Sequence, residues 1–234
     1  MVLFGSIING LTIIVGALLG KLLNRIPEGI KGTVMQAIGL AVVVLGLQMG
    51  LKSEDFLTVI ISLVIGAAIG EVLALDEKLN ETGLWLEKKI GKEAGETSIS
   101  QGFVTATLIF VIGAMGIIGA LDSGIRGNHE VLLTKAIIDG VTALILTTTL
   151  GIGVIFSAVP VILYQGTIAL FATQINRFVP EEWMDAFIVE MTAAGGIMIL
   201  AIGLNLLGLT KVRVANLLPS LFVVGFIITI QYLF

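Results

Sequence analysis

The chain has 234 residues, of which 56% are hydrophobic and 13% charged, with a formal net charge of −4 and no cysteine. Soluble domains carry about a quarter charged residues, so water is not the main solvent of this chain. The small acidic balance argues against nucleic acid as a partner, and the absence of thiols excludes disulfides, iron–sulfur clusters, thiolate zinc sites and cysteine nucleophiles.

A membrane-spanning helix needs about 20 mostly apolar residues to cross about 30 Å of hydrocarbon. The apolar runs lack the apolar/polar alternation of barrel strands, which leaves an all-α, polytopic transmembrane helical bundle as the fold. About eight spans are expected, at 5–23, 31–51, 55–75, 101–121, 134–157, 159–176, 183–207 and 213–233. The first run, Gly5–Gly20, has no basic stretch before it and no cleavage signal after it, and reads as a retained span.

Taken in chain order, span one carries Asn9 and span two carries Gln36. Gly16 and Gly20, Gly46 and Gly50, and Gly66 and Gly70 each form GxxxG, a pattern for close helix packing that also permits a homodimer. Residues 76–99 are heavily charged, while Leu75, Leu79, Leu86 and Ile90 recur at helical spacing beside Trp85; this predicts an amphipathic helix at the lipid interface.

After span four, the five glycines Gly113, Gly116, Gly119, Gly124 and Gly127 suit a glycine-rich loop or re-entrant element. His129 follows without a histidine or cysteine companion and reads as a solvated loop residue, with no metal and no cofactor implied. Span five carries Asp139 with Lys135 one turn earlier on the same face. The break between spans five and six is marked only by Ser157, Pro160 and Gln165.

Span seven carries Glu190, followed by Gly195 and Gly196, which could unwind the helix and expose carbonyls. Span eight opens with Asn216 and Pro219. Ionisable groups inside spans are costly, so Asp139 and Glu190, with Asn9 at comparable depth, are the candidates for an outer solute or ion site. Gln36, Gln165 and Asn216 fall at similar depths on the inner side, as an inner pathway or as interhelical hydrogen bonds that hold the bundle together.

Two internal matches compete. IPEG, a span and LGLQMGLKSEDF recur as VPEE, a span and IGLNLLGLTKV, which pairs spans one to three with six to eight as an inverted repeat: 1–75 and 158–234 as repeats, with the interfacial segment and the central spans 100–157 between them in one transmembrane domain. IINGLT (Ile7–Thr12) also resembles IIDGVT (Ile137–Thr142), an even offset that implies parallel spans. The Lys/Arg bias of the loops, with Lys21, Arg25, Lys31, Lys78, Lys88, Lys89, Lys92, Lys211 and Arg213 on one side and Lys52, Arg126, Lys135 and Arg177 on the other, predicts both termini outside.

The stretches GSIINGLTIIVGALLG, IGAMGIIGALDSGIRG, LLTKAIIDG, the YQG of Tyr164–Gly166, EMTAAGG and NLLPS together resemble the domain of unknown function 554 family, the YdfK-like and YqgA-like bacterial membrane proteins. The resemblance covers nearly the whole chain and implies a bacterial cytoplasmic-membrane location, with membrane lipid as surroundings. It brings no substrate. Ala114 stands where the family pattern leads one to expect a proline, which weighs against a sharp backbone break there. With no nucleophile, metal cluster or cofactor motif, the sequence reads as a transporter or channel for a small solute or ion and not an enzyme; a membrane scaffold or regulatory subunit is the alternative.

Overall fold

A computed structural model describes residues 1–23, 28–90 and 99–233. Arg25, the start of the IPEG stretch, Lys92 and the end of the 76–99 segment lie outside the described residues. The helices are α1 (Phe4–Leu22), α2 (Glu28–Gly50), α3 (Phe56–Leu73), α4 (Leu75–Ile90), α5 (Ile99–Val111), α6 (Ala114–Ile125), α7 (Glu130–Leu150), α8 (Ala158–Phe178), α9 (Glu181–Leu206) and α10 (Ser220–Leu233). Short 3-10 turns, Ile152–Ser157 and Val214–Leu217, lead into α8 and α10. The fold is all-α, as the apolar runs require.

Among the described residues seven segments are long and apolar enough to cross a membrane, and α5 with α6, bent by 62°, makes an eighth when the pair is counted as one span. The chain folds as two compact units that are each discontinuous in sequence: Met1–Val34, Asn80–Val111 and Met115–Asn176 in the first, Met35–Leu79, Ile112–Ala114 and Arg177–Phe234 in the second. This division cuts across the segments 1–75, 100–157 and 158–234, since α1 belongs to the first unit while most of α2 and all of α3 belong to the second.

In the first unit α1 and α7 run parallel. A Cβ on Gly5 would strike Leu132, one on Gly16 would lie 2.0 Å from the Gly140 carbonyl oxygen, and one on Gly20 2.4 Å from that of Leu144. Only glycine allows backbones this close. α8 runs antiparallel to α1, with Gly10 against Ile162 and Gly166 against Leu3.

The bent pair crosses the first unit from end to end. Gly153, just beyond the C-terminal end of α7, packs on Ile99 at the start of α5, whereas Gly119 of α6 packs on Leu132 and Ser123 Oγ lies 2.6 Å from His129 Nδ1 at the start of α7. It is a broken span, not a re-entrant loop. The sharp break that Ala114 weighed against is present all the same, made without a proline at Gly113, whose φ is +142°. The glycines expected in a loop, Gly116, Gly119 and Gly124, sit inside α6 instead, the last against Ala169 and Ala172.

The turn between spans five and six comes earlier than Ser157 and Pro160 indicate. α7 ends at Gly151, whose φ of 78° with ψ of −176° is a conformation that side chains disfavour, and the residues up to Ser157 form a 3-10 turn.

In the second unit α2 and α9 are antiparallel: Gly39 faces Leu207 and Gly203, and Gly46 faces Gly196 and Leu200. α3 and α10 are antiparallel as well, with Gly66 on Ser220 and Gly70 on Asn216. α9 runs unbroken through Gly195 and Gly196, so these glycines do not unwind it. They serve packing: a Cβ on Gly195 would meet Ile112, and one on Gly196 the backbone of Gly50 and Gly46.

α4 leaves α3 through Ala74, at φ 50°. Leu75, Leu79 and Leu86 are half-buried and Gly83 is buried, while Trp85 is exposed with Lys89 Nζ 4.5 Å over its ring. Its apolar stripe therefore faces protein, and Trp85 with the lysines faces outwards.

Candidate functional site

Helix length places Asp139 deeper than the sequence led one to expect. α7 begins at Glu130, nine residues earlier, so Asp139 sits about 13 Å along the helix, near its middle. A lone carboxylate there costs about 2.5–3.5 kcal/mol on insertion scales. Lys135, one turn earlier, offsets that cost: its Nζ donates to Asp139 Oδ2 at 2.6 Å, and both residues are buried. Lys135 thus lies inside a span and drops out of the loop charges, leaving Lys52, Arg126 and Arg177 on its expected side.

Parallel packing brings the partner. Asn9 and Asp139 occupy matching places in IINGLT and IIDGVT, and the glycine crossing of α1 with α7 sets them side by side: Asn9 Nδ2 donates to Asp139 Oδ2 at 2.9 Å and to Gln165 Oε1 at 3.2 Å. Thr12 Oγ1, one turn on, lies 2.8 Å from the Ala136 carbonyl oxygen. Three helices, α1, α7 and α8, thus converge on one polar cluster in the first unit.

The cluster is incompletely satisfied. Asn9 Oδ1 and Gln165 Nε2 are buried without a hydrogen-bond partner, on side chains that are each 0% exposed. Swapping either amide does not cure this, because an Asn9 oxygen would then face the carboxylate and a Gln165 NH2 would face that of Asn9. One of the three Lys135 donors is directed at Asp139. Gly116 of α6 borders the same point: a methyl there would lie 3.6 Å from Lys135 Cε, 3.6 Å from Tyr164 Cε1 and 3.8 Å from Gln165 Nε2.

Glu190 has different partners. Its carboxylate, in the second unit, accepts from the backbone N–H groups of Glu54 and Asp55, each at 2.9 Å, and from Ser53 Oγ at 2.5 Å. It fastens the loop that opens α3, where negative charge also meets the positive end of the helix. The structure brings Asn9 and Asp139 together, adds Gln165 to them, and gives Glu190 a set of donors of its own.

Asn216 is likewise engaged at both ends within the second unit: Nδ2 donates to Glu71 Oε2 at 2.7 Å and Oδ1 accepts from the Asp76 N–H at 2.7 Å. Arg213 completes this network on Glu71 Oε1 at 2.6 Å. Pro219 closes the 3-10 turn and sets the start of α10. Gln36 is exposed on α2. The roles of Lys135, Gly116 and the Ser53–Asp55 loop at these sites go beyond the sequence reading; only the i, i+4 spacing of Lys135 to Asp139 signalled one of them. Among the described residues no group of three or more His, Asp or Glu side chains is placed to hold a metal ion.

A bundle of long apolar helices with buried ionisable groups and an outer surface of exposed apolar side chains, among them Leu57, Val64, Val72, Phe222 and Phe226, defines a multi-pass membrane protein. The chain belongs to the family described as "Protein of unknown function (DUF554)", whose profile matches residues 4–229. It is 32% identical over 237 residues to the "Uncharacterized membrane protein YdfK" of Bacillus subtilis (strain 168), covering 99% of this chain and 98% of the relative. It is 30% identical over 221 residues to the "Uncharacterized protein YqgA" of Escherichia coli (strain K12), covering 93% and 92%. No solved structure matches the chain significantly.

Proposed function

We propose that the protein is a transport protein of the bacterial cytoplasmic membrane, a non-enzymatic secondary transporter or channel for a small solute or ion, with both termini outside. The observation that carries this reading is the Asn9–Lys135–Asp139–Gln165 cluster: buried polar groups inside apolar helices whose hydrogen-bonding capacity is not used up within the protein. A cluster that served only to hold helices together would be expected to saturate its own donors and acceptors.

Internal pairing supports the transport reading. α1, α2 and α3 each pack antiparallel on α8, α9 and α10, their counterparts in the inverted repeat, which is the relation that an in-plane pseudo-two-fold produces. The GxxxG glycines of α1, α2 and α3 face helices of their own unit, which leaves little of them for a homodimer contact.

The test is flux into vesicles reconstituted with the purified protein, across a panel of small solutes and ions. Flux of one class that is lost when Lys135→Met and Asp139→Asn are combined supports transport; an impermeable but folded protein across the whole panel sinks it. The second reading, a scaffold or regulatory subunit, draws on Glu190 and Asn216 being spent on internal bonds and on the exposed Trp85–Lys89 face of α4. It is favoured if the flux panel is silent while deletion of the protein removes a membrane complex.

A further inference from the structure

Charge and unspent hydrogen bonds narrow what the first-unit cluster can hold. Lys135 and Asp139 neutralise one another, so the cluster as a whole carries no net charge and gives a bare ion of either sign an opposing neighbour. What remains is one buried acceptor, Asn9 Oδ1, and one buried donor, Gln165 Nε2, with the Lys135 ammonium having further donors beside them.

We infer that this cluster is the binding site for a small uncharged solute that carries a hydrogen-bond acceptor and donor side by side, of the primary-amide type. Its carbonyl oxygen accepts from Gln165 Nε2 and Lys135, and its NH2 donates to Asn9 Oδ1. The inference rests on the transport reading and deepens it by naming the class of cargo. A cation would satisfy Asn9 Oδ1 and leave Gln165 Nε2 stranded; an anion would do the reverse.

Gly116 supplies the specific test. An added methyl meets its neighbours at 3.6–3.8 Å, ordinary contact distances, so Gly116→Ala fits the fold. The same methyl would lie 3.8 Å from Gln165 Nε2, on the approach that the inferred ligand's carbonyl oxygen needs.

Thermal unfolding of the purified protein is followed with acetamide as the probe, with sodium chloride, sodium formate and ammonium chloride alongside. At about ten times its dissociation constant a ligand raises the folded-to-unfolded ratio about tenfold. The expected result is that acetamide stabilises the wild-type protein relative to Gly116→Ala while the three salts shift both alike. General solvent effects of acetamide act on both proteins and cancel in the difference.

An equal response of wild type and Gly116→Ala to acetamide overturns the site. A difference seen with a salt instead overturns the ligand class, and no difference with any probe leaves water as the only occupant and overturns both. A measurement without a variant is the light-scattering response of reconstituted vesicles to an acetamide gradient: accelerated entry supports the cargo assignment. Binding without entry leaves the site standing and removes the transport reading, whereas entry of another solute without acetamide binding does the opposite.

Discussion

Asp139 and Glu190 lie at equal depth in their helices, each nine residues from the first residue of its own, Glu130 and Glu181. Glu190 meets three donors, two of them backbone N–H groups, and is a fastening for the loop into α3. Asp139 meets a lysine and an amide, and the groups around it keep an acceptor and a donor unused. The lesson is that a carboxylate in a span marks a constraint, and its partners decide which kind. Saturated by the backbone, it holds structure; left beside orphaned amides, it marks a candidate site.

The largest effect that tests this contrast is expected at the ion pair. Asp139→Ala leaves Lys135 charged and unpaired in the membrane, which costs about 3–5 kcal/mol of stability. Replacing both partners, with Lys135→Met and Asp139→Asn, removes the stranded charge and is expected to recover most of that loss while flux stays abolished. Unfolding measured in detergent, beside vesicle flux, separates the two. A double variant as unstable as the single one would show that the pair is structural and break the contrast.

Next comes Glu190→Gln, which keeps the shape of the side chain and an acceptor for the two backbone N–H groups, with its NH2 left to donate to the Ser53 hydroxyl, but removes the negative charge that strengthens these bonds. The expected loss is about 1–3 kcal/mol, with flux per folded molecule unchanged. Reduced flux in a fully folded Glu190→Gln protein would return Glu190 to the pathway.

The glycine crossings should respond alike in the two units. Gly16→Ala would press a methyl against the Gly140 carbonyl oxygen at 2.0 Å, and Gly196→Ala against Gly50 N at 2.4 Å. Overpacking of this kind costs about 1–3 kcal/mol, and comparable falls in unfolding temperature are the expected outcome. A large effect in one unit alone would mean that the other can shift to make room.

How much of this was legible in the sequence depended on what each feature needs. Spans follow from the length of apolar runs, a local property, so the eight crossings could be read with their ends good to a few residues. The exception, the turn at Gly151, escaped because a single glycine at φ 78° breaks a helix with no change in polarity. The contact of Asn9 with Asp139 lay concealed in the match of IINGLT to IIDGVT: parallel packing of two similar helices sets like positions side by side, but the match cannot say that the helices touch. The partners of Glu190 were hidden for a related reason. The donors that claim it sit more than 130 positions away, and backbone N–H groups leave no trace in the sequence.

The smallest effect concerns the same loop that Glu190 holds. Asp55 caps α3, with Thr58 Oγ1 donating to its Oδ2 at 2.6 Å and Gln231 Nε2 at 3.0 Å. These two side chains, Thr58 first, hold its carboxyl below the usual aspartate range. A depressed pKa contributes stability that is present above the unfolded value and is lost as pH falls through the folded one. The Asp55 contribution is therefore constant at neutral pH and fades only in acid, from the range where free aspartates protonate downwards. Asp55 lies near the surface, so solvent screening keeps the effect small. Unfolding temperatures of wild type and Thr58→Val, compared from neutral to acidic pH, are expected to differ most at neutral pH and to approach one another in acid. A gap that persists unchanged in acid would mean that Thr58 acts by packing against its buried surroundings, and that this end of α3 is held by Glu190 alone.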